Sequence, residues 1–362
     1  MIHTDATTAH TPIVRVLALG VALAAVVAIV VLAFSWPAVT ADAKNLPIAI
    51  TGHAEAVAAA EAAVDDSAPG VIAFEEVDDR DAAVSAIETR EAYGAIVLGQ
   101  EPEVLTSSAS SLVVSQLLGG VAAQLQAGVN AQAQAAASAQ GVPAPPLIEV
   151  AVTDVVPLAE SDERGTGLTS AMFPLVLGGL LGGIVVSLTV IGAMRRVLAV
   201  VVYSAIGALV LTGILQGWFG SLQGDYWANA AAIALALAAI AAPITGFAAL
   251  MGRAGIGVGA IVMMLVANPI SAAALPKEFI AEPWGEVGQW FPPGAAATLL
   301  RELSYFPAAD PAFPWLVLAA WAAGGILLSV VGHFRTAGGA EPDAEASVAR
   351  VAEPDAEARV VV

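Results

Sequence analysis

The sequence predicts an α-helical integral membrane protein with six transmembrane helices and an extracytoplasmic α/β domain inserted between the first and second. Three observations carry this. Crossing a lipid core about 30 Å thick takes roughly 20 apolar residues in helix, and six stretches qualify: 16–36, 168–194, 197–218, 228–250, 254–275 and 313–331. None of the six contains Asp, Glu, Lys, Arg or His. Between the first and second, positions 37–166 hold nineteen acidic and four basic residues, a composition suited to water. The chain as a whole is 58% hydrophobic and only 12% charged, which is outside the range of ordinary soluble domains.

Taken in order, residues 1–15 read as a cytoplasmic N-terminus and 16–36 as the first transmembrane helix. A second reading of the same stretch is a signal peptide, in which Arg15 and the apolar run precede a small-residue site at Ala41-Asp42-Ala43. Its apolar run of nineteen residues, 16–34, exceeds the usual signal core and favours the anchor. Residues 37–167 form the extracytoplasmic α/β domain. Within it, 46–50, 71–74 and 93–98 read as strands, 103–106 as a partner beside them, and 147–156 as a last strand. The intervening 54–64 and 81–90 read as helices, the latter capped by Asp78 or Asp79. A long Ala- and Gln-rich helix covers 110–140, with a break near Gly119-Gly120 and a stop at the prolines after Gly141.

Residues 168–335 form a five-helix transmembrane bundle with an external segment, 276–312. That segment is long for a helix connection. It is rich in proline and aromatics over 283–294, and 295–306 can form an amphipathic helix with Leu299, Leu300, Leu303 and Phe306 on one side. Two readings stand: a cap packed on the helix ends, or a gate or re-entrant element. Residues 336–362 form an acidic cytoplasmic tail in which the stretch AEPDAEA at 340–346 recurs at 352–358, a composition that predicts disorder.

Orientation follows from basic residues beside the spans, which are retained on the cytoplasmic side. Arg15, Arg195, Arg196, Arg253 and Arg335 all fall on one side if six helices alternate. The expected location is therefore a bacterial plasma membrane, multi-pass, with both termini cytoplasmic. Trp36, Trp218, Trp227, Trp284 and Trp290 then gather at the outer interface as an aromatic belt.

Composition also narrows the chemistry. A net charge of -19 disfavours nucleic acid as a partner. With no cysteine, disulfides, thiolate metal sites and cysteine nucleophiles are excluded. No Gly-x-x-x-x-Gly-Lys loop is present to cradle nucleotide phosphates. The histidines, His3, His10, His53 and His333, are too scattered to share a metal. Ser107, Ser108, Ser110 and Ser111 read as a helix start. The acidic group Glu75, Glu76, Asp78, Asp79 and Asp81 reads as a solvated turn with caps, the alternative being a divalent cation site. No enzyme and no cofactor are predicted. Spans free of ionisable groups also argue against a proton relay and for a lipid-like or amphipathic substrate.

Gly178, Gly179, Gly182 and Gly183 form two overlapping small-xxx-small pairs, suited to close packing within the chain or to a homodimer face. Asn268-Pro269 near the outer end of the fifth span, and Pro292-Pro293 in the external segment, are candidate gate or kink positions, and Asn268-Pro269 reads more readily as a simple helix end near the interface. Arg195 and Arg196 are the cationic pair joining the second and third spans.

This order of parts resembles the ABC-2-type membrane permeases, especially the phage-infection-protein (YhgE/Pip-like) branch. Local matches are LPIAI at 46–50, YGAIVL at 93–98, Asn268-Pro269, and WFPPGA at 290–295 followed by Arg301. The resemblance implies a permease subunit of an exporter that moves a hydrophobic or envelope-related compound, working as a homodimer in the lipid bilayer with a separate nucleotide-binding subunit. The resemblance makes Arg195 and Arg196 the ATPase-facing pair, yet the connection between the second and third spans is little more than these two residues. That brevity favours the alternative, a non-transporting envelope protein whose extracytoplasmic domain binds or organises cell-surface or secretion partners.

Overall fold

The structure is a computed structural model that describes residues 11–143 and 145–337. Its elements run α1 (Ile13–Val39), β1 (Leu46–Thr51), α2 (Ala54–Ser67), β2 (Ile72–Glu76), α3 (Arg80–Glu88), β3 (Gly94–Val97), β4 (Glu103–Thr106), α4 (Leu112–Gln140), β5 (Ala151–Asp154), α5 (Thr166–Thr189), α6 (Ala193–Thr212), α7 (Tyr226–Met251), α8 (Arg253–Ile261), α9 (Trp284–Gln289), α10 (Pro292–Tyr305) and α11 (Ala312–Ala337).

The strands form one sheet in the order β2-β1-β3-β4-β5, parallel except for β3 against β4. Successive side chains on a strand face opposite ways, and the residues sort accordingly. Leu46, Ile48, Ile50, Ile96 and Val104 pack on one face with Val57 of α2 and Val114 and Leu118 of α4. Ala49, Ala95 and Leu105 pack on the other with Ala83 and Ile87 of α3. Asp79 caps α3 by accepting from Ala82 N at 2.8 Å. Among the described residues, no group of three or more His, Asp or Glu side chains is placed to hold a metal ion.

Two expectations for this domain change, the break in the long helix and the length of the last strand, while the end of that helix at Gln140 is as expected. The helix α4 runs without interruption through Gly119-Gly120, because Leu118 and Ala122 on either side are pinned to the sheet. It ends at Gly141 in the left-handed conformation, with Val142 N donating to Ala137 O at 3.0 Å and Gly141 N to Ser138 O at 3.2 Å. The last strand is shorter than 147–156, since Ile148 and Val150 bond instead to the Asn130 and Gln126 side chains of α4.

Six helices among the described residues are long and apolar enough to cross a membrane, but they are not the six expected. One is α4, whose apolar stripe is packed on the sheet, which assigns it to the α/β domain. The others are α1, α5, α6 with its π-helical extension Gly213–Trp218, α7 and α11. The expected fifth span, 254–275, is not one long helix. It is α8 followed by a π-helical turn, Val262–Ala267, a total of fifteen residues, about 22 Å at 1.5 Å per residue. Pro269 has no N–H to continue the ladder and disfavours helix at Asn268. Boundaries also move at the Arg195-Arg196 end. There α5 stops at Thr189 and α6 starts at Ala193, so both arginines lie in the first turn of α6, not in a loop. Arg196 Nε donates to Val190 O at 2.8 Å and so satisfies a carbonyl at the end of α5.

At the centre of the bundle is α7, buried from Asn229 to Ala248 against α5, α6, α8 and α11. By contrast, α1 has a single buried residue, Pro37. The expected tail, 336–362, begins inside α11, and its repeat lies outside the described residues, as do His3, His10 and most of the N-terminal stretch 1–15.

Candidate functional site

Between α8 and α11 the chain turns back into the bundle. Pro292 and Pro293 occupy the first turn of α10, where a missing N–H costs nothing. They start a helix and do not kink one, which corrects the kink expectation for this pair. From Pro292 to Leu300 nearly every residue of α10 is buried, among residues of α5, α7 and α11. The tip between α9 and α10 is held by Trp321, whose Nε1 donates to Trp290 O at 2.8 Å and whose ring lies 5.4 Å from Phe291. Trp321 is nine residues into α11, so the tip sits about 14 Å along that helix from its start. The segment is thus a hairpin turned into the bundle, and α10 is enclosed by helices, not laid on a surface.

Irregular backbone at such depth must be satisfied by protein. Residues 268–275 meet that demand against the hairpin. Gln289 Nε2 donates to Ser271 O at 3.2 Å, and Thr298 Oγ1 in turn donates to Gln289 Oε1 at 2.7 Å. Asn268 closes the π-turn by donating from its backbone N to Met263 O at 3.2 Å, and Pro269 lies beside Phe34 and Pro37 of α1 in a small surface cavity.

The α/β domain docks on the hairpin through charged and aromatic groups. Arg90 Nη1 pairs with Glu302 Oε1 at 3.1 Å, both side chains largely buried, and its guanidinium stands 5.3 Å from the Phe306 ring centre. Tyr93 donates its hydroxyl to Glu278 Oε2 at 2.8 Å. Asp42 N and Lys44 N donate to the carbonyls of Phe279 and Glu278, and the Phe279 side chain enters the domain core. Arg90 takes the position after α3 where glycine is favoured, with φ +64°. Ala272 is also left-handed at φ +54°. Strained residues persist only when their surroundings over-determine them, and both line the same cavity.

That cavity, about 500 Å³, lies between the domain and the hairpin and is lined by Arg90, Tyr93, Glu278, Arg301, Glu302 and Asp310 among others. A second, of about 380 Å³, is lined by Ser110, Arg164, Thr166, Leu168, Arg301 and Tyr305 among others. Arg301, Ser110, Leu275 and Pro276 border both. Burial, and next the Arg90 charge, pushes the Arg301 guanidinium down to about 10, still cationic at neutral pH. Burial raises the Glu302 carboxyl above its ordinary value against the opposing pull of Arg90, and Glu302 Oε2 has no hydrogen-bond partner. Burial, followed by the Glu278 charge, holds the Tyr93 hydroxyl far above its usual range, so it remains a donor.

The sequence-derived sites lie elsewhere or at the margin. Gly179 and Gly183 face Ile240, Ala241 and Ile244 of α7, at distances where an added Cβ would come within about 3 Å of them. Gly182 faces the Tyr203 ring, and Gly178 O accepts from the Tyr203 hydroxyl at 2.7 Å. All four glycines are therefore occupied by helices of the same chain. Arg195 is exposed at the end of the bundle opposite the α/β domain, with Arg196 beside it. Arg90, Arg164 and Glu278 were not singled out by sequence, and Tyr93 was noted only as the first residue of the strand motif at 93–98. The available signal was Arg301-Glu302, two charges inside a segment otherwise buried enough to serve as core. Comparison with protein-family models, with curated proteins and with solved structures finds no match for this chain.

Proposed function

We propose that the chain is the membrane permease subunit of an ABC-2-type exporter in a plasma membrane, moving a hydrophobic or envelope-related compound with a separate ATPase. The observation that carries this reading is the hairpin turned into the bundle, which packs among helices uncharged between their ends and is capped by a domain that leaves cavities beside it. An amphipathic cargo needs that combination: apolar walls along the helices and polar groups at one end. In this reading the α/β domain is extracytoplasmic, because Arg195, Arg196, Arg253 and Arg335 collect at the opposite end of the bundle. The chain itself performs no covalent chemistry, and a homodimer must use a face other than the glycine stripe, which α6 and α7 fill.

A specific observation favours a second reading. At the arginine-rich end, α5 and α6 are joined by residues 190–192, and α7 and α8 by Gly252 alone, so little surface is offered to an ATPase. A non-transporting envelope protein, with the α/β domain binding surface or secretion partners, needs no such surface. Purification of the tagged chain in mild detergent, with mass spectrometry and an ATPase assay of the eluate, separates the two. The permease reading expects a stoichiometric nucleotide-binding subunit whose association is lost in Arg195→Glu/Arg196→Glu. Absence of that subunit, with an external partner present, would overturn it.

A further inference from the structure

We infer that the smaller junction cavity is a binding site for an oxyanion of phosphate type, presented as the head group of an amphiphile and held by Arg164 and Arg301. The inference rests on the bundle lying in a membrane and holds whether or not the chain transports anything.

The charge balance decides which cavity is meant. Around the larger one, Arg90 and Lys277 are already paired with Glu302 and Glu286, and Glu91, Glu278 and Asp310 add further negative charge. An anion is disfavoured there. Among the described residues lining the smaller one the only carboxylate is Asp162, and both its oxygens are engaged: Thr166 N donates to Oδ1 at 3.0 Å and Gly167 N to Oδ2 at 2.8 Å. Its charge is thus applied to the first turn of α5, where it is favoured. Neither Arg164 nor Arg301 forms an ion pair among the described residues. A guanidinium carries five donors, and the one hydrogen bond Arg301 makes among the described residues is a long contact from Nη2 to Ala273 O at 3.4 Å. A half-buried cation left this bare is costly without an anion to meet it.

The remaining walls fit the same ligand. Ser110, Ser111, Thr166 and Thr169 line the cavity, with Ser111 Oγ accepting from Val114 N at 3.3 Å and Thr169 Oγ1 donating to Gly165 O at 3.2 Å. Tyr305 adds a buried hydroxyl that lies near the Ala159 backbone without a well-formed hydrogen bond. The first turns of α4 and α5 both border the space. Leu158, Leu168, Leu275 and Val113 supply an apolar side. Leu168 and Leu275 belong to the domain-side end of the bundle, at the level where head groups stand when the helices cross a bilayer. A volume of about 380 Å³ is in the range of small-ligand pockets and larger than a bare oxyanion requires.

The test uses the full chain in a neutral detergent, titrated with phosphatidylglycerol, phosphatidylcholine and inorganic phosphate, with binding read by native mass spectrometry. Phosphatidylglycerol is expected to bind about tenfold or more tightly than phosphatidylcholine, and Arg164→Gln and Arg301→Gln are each expected to weaken it about tenfold. Arg253→Gln, at the far end, should leave it unchanged. Arg164 is exposed, so its variant carries the test if Arg301→Gln does not fold, and Arg301→Lys should retain part of the affinity. Binding of inorganic phosphate alone, with the same arginine dependence, would keep the oxyanion and overturn the amphiphile. Equal binding of the two lipids, or a double variant with undiminished affinity, would overturn the site.

Discussion

Along α5 and α7 no charged side chain occurs, and the two helices meet through Gly179, Gly183, Ile240, Ala241 and Ile244. Between α3 and α10, by contrast, contact is made by Arg90, Glu302 and Phe306, with Tyr93 and Glu278 alongside. The first region is dense, and α7 is buried over most of its length. The second encloses the two cavities next to the hairpin. Lipid tails provide no hydrophobic force between apolar helices, so close approach of small residues must hold the bundle. Where the chain emerges, charge can be used, and the polar groups left over after pairing give the junction its capacity to bind. A third region sharpens the contrast. The helix α1 is more apolar than α7 and almost wholly exposed, so apolarity by itself does not bring a helix into the bundle. What α7 has in addition is a run of alanines that lets its neighbours approach.

The largest expected effect is at the junction. Arg90→Ala removes one partner of a largely buried pair and a cation from the Phe306 ring, for a loss of about 3 kcal/mol. Hydrogen exchange should show α3 and α10 loosening together while α5 and α7 stay protected. Loosening of the bundle instead would break the separation of the two regions.

Next in size is Gly183→Leu, which forces a side chain against the Ala241 backbone at about 3.0 Å and should cost about 1–3 kcal/mol. Thermal unfolding followed by tryptophan fluorescence is the measurement, with Ala24→Leu on the exposed α1 as control, expected within about 0.5 kcal/mol of the parent. An equal cost at both sites would mean that α1 is packed as tightly as α7.

The smallest effect is a pH dependence that the bundle lacks. At Glu302 burial outweighs pairing and the folded carboxyl is raised. Its contribution is full below the ordinary carboxylate value and is lost as pH rises through the raised one. Glu103, lowered chiefly by its hydrogen bond from Arg80, behaves oppositely: its contribution is present above the ordinary value and lost as pH falls through the lowered one. Relative to the parent chain, Glu302→Gln should therefore gain stability from acid to neutral pH, and Glu103→Gln should lose it. Gly183→Leu should carry a cost independent of pH. Parallel slopes for the two carboxylate variants would show that the junction does not desolvate Glu302.

Much of the architecture was legible. Uncharged apolar runs located α1, α5, α6, α7 and α11, and the alternation of β-branched and alanine residues located β1 to β3. The α8 region was not. Residues 254–275 satisfy every criterion of length and apolarity; Asn268-Pro269 marked a helix end within them, but that the residues beyond it bond to α9 and α10 was not readable. Likewise 147–150 has strand composition but is bonded to side chains of α4. The glycine stripe was recognised as a packing surface, but a small-residue pattern does not say whose helix fills it.

What the sequence determined by itself is the division of the chain into water-compatible and lipid-compatible parts, since that depends on the transfer energy of each segment taken alone. The tertiary structure decided where Arg301 lies. Arg90, Arg164, Arg301 and Glu302 come from three separate elements or connections, and their charges acquire meaning only through mutual distance and shared burial. Electrostatic energy depends on separation and surroundings, and neither is written in the order of residues.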